Sequence, residues 1–281
     1  MPVSSKGAKR TPFCQYGGPL RELPASHAFA AAAKDAINSA KVDPTLIDET
    51  VVGNVNYLSQ CDGGKTPRYC GLYSGVPIEK PALGVSKACG TGLQAIITAA
   101  VDILFGTSKI TLTGGTDIMS TLPMLVRNVR FGTTLGTAHV FEDHIQRELV
   151  DSYSGKTLSE IVEELARRFK IGRKETAADG AAALLLASAE SVKTHNLSPL
   201  VKITGWSCVG VAPEDSGIAA AVAINETSAA QVLASAKELK VDLSKVNVNG
   251  GALAVGHPVS ATGARMVTNL VYELRVIEEA Y

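Results

Sequence analysis

The chain has 281 residues, 46% hydrophobic and 19% charged, a balance that suits a globular fold of one large domain or two coupled ones. Lysine plus arginine and aspartate plus glutamate both number 27, so the formal net charge is zero and no charged tail points to nucleic acid or an anionic membrane. Apolar stretches such as Gly180 to Ala189 are about half the roughly 20 residues that a membrane-spanning helix requires, so no membrane span is expected. Five cysteines, Cys14, Cys61, Cys70, Cys89 and Cys208, are odd in number and lack CxxC pairs, which argues against a disulfide scaffold or a structural zinc site and for a reducing compartment. Met1 to Arg10 lack the apolar core of a signal peptide, leaving a mitochondrial or a cytoplasmic location as the expectation.

In chain order, the Ala-rich segment Ser26 to Lys41 predicts a helix that packs closely on a sheet. Short apolar runs at Thr50 to Val55, Ala82 to Ser86 and Lys109 to Thr113 predict buried strands with helices between them. From about Pro123 to Lys174 the chain is more charged and irregular, as an inserted excursion or a solvated surface would be. Within it Leu158, Ile161, Val162, Leu165 and Phe169 fall at helical spacing, and Thr157 with Glu160 has the spacing of a capping box. An Ala-rich stretch follows from Ala177 to His195, then a strand over Leu200 to Gly205 and a glycine-rich segment from Asn247 to Gly263. Cys89-Gly-Thr-Gly-Leu-Gln and Ser260-Ala-Thr-Gly-Ala-Arg are similar in pattern, as a duplicated α/β unit would leave them.

Two segments carry chemistry. Val85-Ser-Lys-Ala-Cys89-Gly-Thr-Gly follows a predicted strand and turns into an apolar helix, so Cys89 falls at or near a helix start. The helix dipole and free N–H groups there favour a thiolate, and backbone N–H groups can hold the oxyanion formed when a thioester is attacked. Two other readings stay open on these residues alone: a small buried cysteine in a glycine turn, and a GxGxxA dinucleotide turn from Gly90 to Ala95 with Asp117 as its acid. In the second segment, Asn247-Val-Asn249-Gly250-Gly251-Ala-Leu-Ala-Val-Gly256-His257-Pro258, the glycines permit unusual backbone angles and His257 lies between Gly256 and Pro258. Its imidazole could take the cysteine proton or donate to an oxyanion, although a lone histidine is more often surface or satisfied core.

Together these segments resemble the thiolase family, and Gly114-Gly115-Thr116-Asp117-Ile118-Met119-Ser120 is similar to a third family segment at the expected distance. Further similarity lies at Ala8 to Phe13, Gly53-Asn-Val55, Val126 to Gly132 and Asn225-Glu226, with the Val126 segment pointing to the mitochondrial-type 3-ketoacyl-CoA branch. The resemblance implies cleavage of 3-ketoacyl-CoA by coenzyme A or the reverse Claisen condensation. It implies a five-layer α/β/α/β/α fold of two similar halves: residues 1–122 plus 176–196, then 197–281, with 123–175 as the remnant of an excursion over the coenzyme A site. It implies that Cys89 carries the acyl group, that His257 activates it and helps bind the thioester oxygen, and that Asn225 positions a water in the same oxyanion site. Gly256 and Met119 are implied substrate contacts. Coenzyme A enters as substrate with no bound cofactor or metal, the partners are acyl-CoA molecules, and a homodimer or homotetramer is expected.

The chain also departs from the pattern. Thr227-Ser228 stand where the family usually has Ala-Phe, and Ser260 replaces a usual glycine. The sequence jumps over much of the excursion between Glu175 and Ala178, and over a helix and part of a strand between Gly217 and Ile224. The family's second catalytic cysteine, in a glycine-rich C-terminal segment, has no counterpart before Tyr281, and Cys208 lies in a different context. Impaired turnover is therefore the alternative expectation. A β-ketoacyl synthase ranks below both, since its elongating members would carry a histidine where Asn225 stands.

Overall fold

The computed structural model describes residues 3–169, 178–208, 225–226, 229–247 and 249–279. Strands β1 (Val3–Arg10) and β2 (Cys14–Gln15) lead into α1 (Ala25–Ala40), followed by β3 (Glu49–Gly53), α2 (Thr66–Tyr73), β4 (Ala82–Val85), α3 (Thr91–Phe105) and β5 (Ile110–Asp117). Next come β6 (Met124–Leu125), β7 (Glu142–Asp143), α4 (His144–Glu148) and α5 (Leu158–Phe169), then β8 (Ala178–Ser188) and α6 (Ala189–Thr194). The described chain closes with β9 (Val201–Ile203), α7 (Ala229–Glu238), α8 (Ala252–Val255) and α9 (Val259–Glu279).

The main sheet has the order β4-β3-β5-β8-β1-β9, with β2 also paired to β8. β3, β4 and β5 run parallel, whereas β8 is antiparallel to both β5 and β1. The Ala-rich stretch after the excursion supplies this long strand, and its alternation shows why. Ala181, Ala183, Leu185 and Ala187 face one core with Phe29 and Ile37 of α1 and Cys70 of α2. Ala182, Leu184 and Leu186 face the other core, with Ala95, Ile96 and Ala99 of α3 and Ala264 and Val271 of α9. A strand covered on both faces can be apolar at every position, and small side chains let the helices lie close. The fold is thus α/β, with α1 and α2 on one side of the sheet and α3 and α9 on the other.

Three sequence expectations change. β5 continues through Gly114 and Gly115 to Asp117 instead of ending at Thr113, because a side chain at either glycine would collide with the backbone of β8 or with Ser260. The strand expected to reach Gly205 stops at Ile203 and pairs with β1 at the edge of this same sheet. Ala88–Phe105 is longer than the apolar runs considered above and long enough to span a membrane by length and composition. In the fold its helical part is α3, which buries Ala95, Ile96, Ala99, Ala100 and Ile103 on its sheet-facing side. The shortened region around Gly217 to Ile224 lies outside the described residues, as do residues 175–177 of the other seam.

The excursion keeps a small structured remnant. β6 pairs with β7, and Glu142 receives Arg127 at 2.8 Å and Arg147 at 3.4 Å, which ties the ribbon to α4. The predicted capping box is formed: the Thr157 N–H donates to Glu160 at 2.7 Å, and the Glu160 N–H donates to the Thr157 hydroxyl at 3.2 Å. α5 then packs on α7.

Candidate functional site

Parallel strands place ligand sites beyond their carboxyl ends, where the loops leave the sheet. Here those ends are Gly53, Val85 and Asp117, and the residues that follow them meet the first turn of α9. Asp117 is fully buried and joins the loop after β3 to the first turn of α9. Its carboxylate accepts from the Asn54 side chain at 3.0 Å, the Asn56 N–H at 3.1 Å and the Ser260 N–H at 2.5 Å. The Ser260 hydroxyl in turn accepts from the Val55 N–H at 2.8 Å. The serine that departs from the usual glycine is therefore part of the frame.

Cys89 lies one residue before the Gly90 cap of α3, after Ala88, whose φ of 43° places a non-glycine residue in the left-handed region. That turn folds the chain sharply from β4 into the helix. The residue is partly exposed, yet burial of its thiol raises the pKa above the ordinary range, with the Asp117 carboxylate adding to the rise. This corrects the expectation of a thiolate stabilised by the helix start. Cys89 sits outside the first helical turn, and desolvation outweighs the opposing effect of its backbone N–H.

His257 is buried, with Nε2 3.5 Å from the Asn225 side-chain nitrogen and Nδ1 2.7 Å from the Thr262 hydroxyl. Its pKa is pushed down to about 4, first by burial and then by the positive charge of Arg265. Arg265 is itself 4% exposed, and its Nε has no hydrogen-bond partner among the described residues. Asn225 is held from the next position, because the Glu226 carboxylate accepts from the Leu253 N–H at 3.2 Å. Gly251 leaves the space into which that carboxylate fits. Gly256 caps α8 at φ 93° and turns the chain into His257, while Met119 is buried in the single helical turn after β5. Cys208 is exposed, its sulfur 2.7 Å from Nζ of Lys87.

The cysteine and histidine segments converge because the starts of α3 and α9 touch without intervening side chains. A Cβ on Gly92 would strike the Ser260 carbonyl and come within 2.8 Å of the Ala264 nitrogen, and one on Gly263 would lie 2.5 Å from the Leu93 nitrogen. The same two positions of the sequence repeat thus face each other. This closure also removes the dinucleotide reading, since Gly92 faces the backbone of α9 where a pyrophosphate would need space. Sequence reasoning brought out Cys89, His257 and Asn225, and noted Asp117 and Ser260 without their roles. It gave no role to Thr262, Glu226 or Arg265, which it met only inside longer matched segments. The only sequence signal for Thr262 was its place in the repeat, opposite Thr91.

Residues 6–178 match the thiolase N-terminal domain and residues 219–281 match the thiolase C-terminal domain. The chain belongs to the thiolase family. Membership makes it an acyl-CoA acyltransferase by class. It is 32% identical to the human mitochondrial 3-ketoacyl-CoA thiolase, with 95% of this chain and 90% of the relative covered. A probable acetyl-CoA acyltransferase of Staphylococcus epidermidis is 28% identical over 95% of this chain and 91% of its own length. Among solved structures, the human mitochondrial thiolase in complex with CoA superposes with a TM-score of 0.94 at 31% identity, covering 99% of this chain and 92% of that one. The Bacillus anthracis acetyl-CoA acetyltransferase gives 0.91 at 25% identity, covering 99% and 93%. This thiolase nevertheless lacks internal segments: the alignment with the human enzyme runs over 360 positions, more than the 281 residues available here.

Proposed function

We propose that this thiolase cleaves 3-ketoacyl-CoA with coenzyme A, or runs the reverse condensation, through an acyl thioester on Cys89. The observation that carries the reading is the pairing of a buried, neutral His257 with Asn225 at 3.5 Å, just before a helix, α9, whose start packs against the start of α3 that follows Cys89. The raised thiol and lowered imidazole pKa values both oppose proton transfer before substrate arrives. The site therefore rests as thiol and imidazole, not as an ion pair. When the substrate carbonyl reaches Cys89, the S–H bond breaks, its proton passes to His257 and the sulfur pair forms the new S–C bond. In the cleaving direction the C–C bond then breaks and its electron pair leaves with acetyl-CoA, which takes up the proton held on His257. Coenzyme A next receives the acyl group and regenerates the thiol.

Asn225 is assigned the oxyanion site together with His257, and Met119 and Gly256 are assigned to the substrate's path. The domain assignment is the one given by the resemblance: 1–122 plus 176–196, the excursion 123–175, and 197–281. A homodimer or homotetramer is supported by Phe131, Leu135, Val140 and Phe141, which stand exposed along the excursion; sedimentation of the purified chain tests it. The mitochondrion is the favoured compartment, on the names of the animal relatives alone, and cell fractionation tests it.

A second reading, acyl acceptance without efficient turnover, is favoured by the missing internal segments. Incubation with acetoacetyl-CoA and coenzyme A separates the two. Thiolysis together with acetyl-Cys89 by mass spectrometry supports the enzyme, acetyl-Cys89 without thiolysis supports the second reading, and the absence of any adduct on Cys89 sinks both.

A further inference from the structure

The Thr262 hydroxyl lies 2.9 Å from the Pro258 carbonyl and 2.7 Å from Nδ1 of His257, in a position with no solvent exposure. On a helix, a threonine hydroxyl commonly gives its hydrogen to the carbonyl four residues back. It has one hydrogen to give, and a carbonyl can only accept. Once that hydrogen goes to Pro258, the oxygen can meet Nδ1 only as an acceptor. Nδ1 then carries the ring hydrogen. Nε2 keeps its lone pair, and the group facing it at 3.5 Å is the Asn225 amide nitrogen, a donor.

We propose that Thr262 is a positioning residue that fixes His257 in the Nδ1–H tautomer, so that Nε2 is the atom that receives the Cys89 proton. The inference rests on the reading of His257 as the base for Cys89. When the S–H bond breaks, the sulfur keeps the electron pair and the proton binds Nε2. The imidazolium still donates from Nδ1 to Thr262, so that contact persists while Nε2 changes from acceptor to donor. One atom thus serves first as base and then as oxyanion donor without the ring turning. The charged groups around it are Arg265, which opposes the imidazolium, and Glu226, whose carboxylate lies toward Arg265.

The test uses the whole chain with ¹⁵N-labelled histidine, which gives only five rings to resolve, with His257 assigned by its loss in His257→Gln. The expected spectrum at neutral pH has a pyrrole-like Nδ1 and a pyridine-like Nε2. Thr262→Ser should keep that pattern. Thr262→Val should move hydrogen to Nε2 and slow iodoacetamide labelling of Cys89 by about 10²-fold, the lower end of what general-base assistance contributes. A pyridine-like Nδ1 in the unaltered chain overturns the proposal, and that spectrum decides even if Thr262→Val does not fold. An unchanged tautomer in folded Thr262→Val overturns it as well. If the tautomer follows Thr262 but Cys89 labelling is indifferent to His257→Ala, the base role fails and the proposed function with it, while the tautomer assignment stands.

Discussion

The starts of α3 and α9 are two versions of one design, and they differ in what their threonines hold. Thr91 and Thr262 occupy the same place in the sequence repeat, each followed by a glycine that packs on the other helix. The Thr91 hydroxyl accepts from the Lys87 N–H at 2.6 Å and so fixes the backbone of the turn that carries Cys89. The Thr262 hydroxyl, besides donating to the Pro258 carbonyl, reaches a side chain, the imidazole of His257. One helix start holds the chain, and the other holds a proton acceptor. The difference teaches that a helix dipole does not by itself set the chemistry at its end: the thiol beside α3 is raised and the imidazole beside α9 is lowered because burial dominates at both.

The strongest way to break this comparison is His257→Ala. Labelling of Cys89 near neutral pH should slow by about 10²–10⁴-fold, the range for loss of a general base, as followed by peptide mass spectrometry. An unchanged rate would leave the α9 start without a chemical role.

Next is the pH dependence of stability. The folded pKa of His257 is about 4 against 6.5 for the free side chain, so between those values the unfolded chain binds a proton that the folded chain does not. Stability is full above pH 6.5 and falls as pH drops toward 4, by on the order of 3 kcal/mol from this group. Urea titrations of the unaltered chain and of His257→Gln across that window should show a slope that the variant lacks. Parallel slopes would mean that His257 titrates normally.

A smaller effect is expected from Gly92→Ala, which forces a methyl group against the backbone of Ser260 and Ala264. Overpacking of this kind costs about 1–3 kcal/mol, measured as a lower urea midpoint. A midpoint equal to that of the unaltered chain would deny the close contact of the two helices.

The smallest change sharpens the contrast. Thr91→Val should cost about 1 kcal/mol for the lost hydrogen bond at Lys87 while leaving the ring nitrogens of His257 unaltered. A shift in those nitrogens would mean that the two threonines do not act separately.

Much of this was legible before the fold. α1 and α3 follow from Ala-rich and apolar periodicity, and the capping box at Thr157 and Glu160 from spacing alone. The end of β5 was misread, because glycine is a turn signal unless its neighbours in space require a bare backbone, and those neighbours are β8 and α9. The charge states at Cys89 and His257 were also beyond sequence reading, since the helix start pointed to a thiolate while burial, which outweighs it, depends on residues distant in the chain.

By itself the sequence determined the α/β class, the family, and the identity of Cys89, His257 and Asn225 as candidates, because motif spacing and residue chemistry are local properties. Only the tertiary structure decided how they are held. Asp117 joins the loop of positions 54 and 56 to the first turn of α9 at position 260, Thr262 meets an imidazole five residues back, and Glu226 reaches the backbone of Leu253. Hydrogen bonds of this kind depend on angstrom-scale distances between segments, and nothing in the order of residues fixes such distances until the two helix starts have packed against each other.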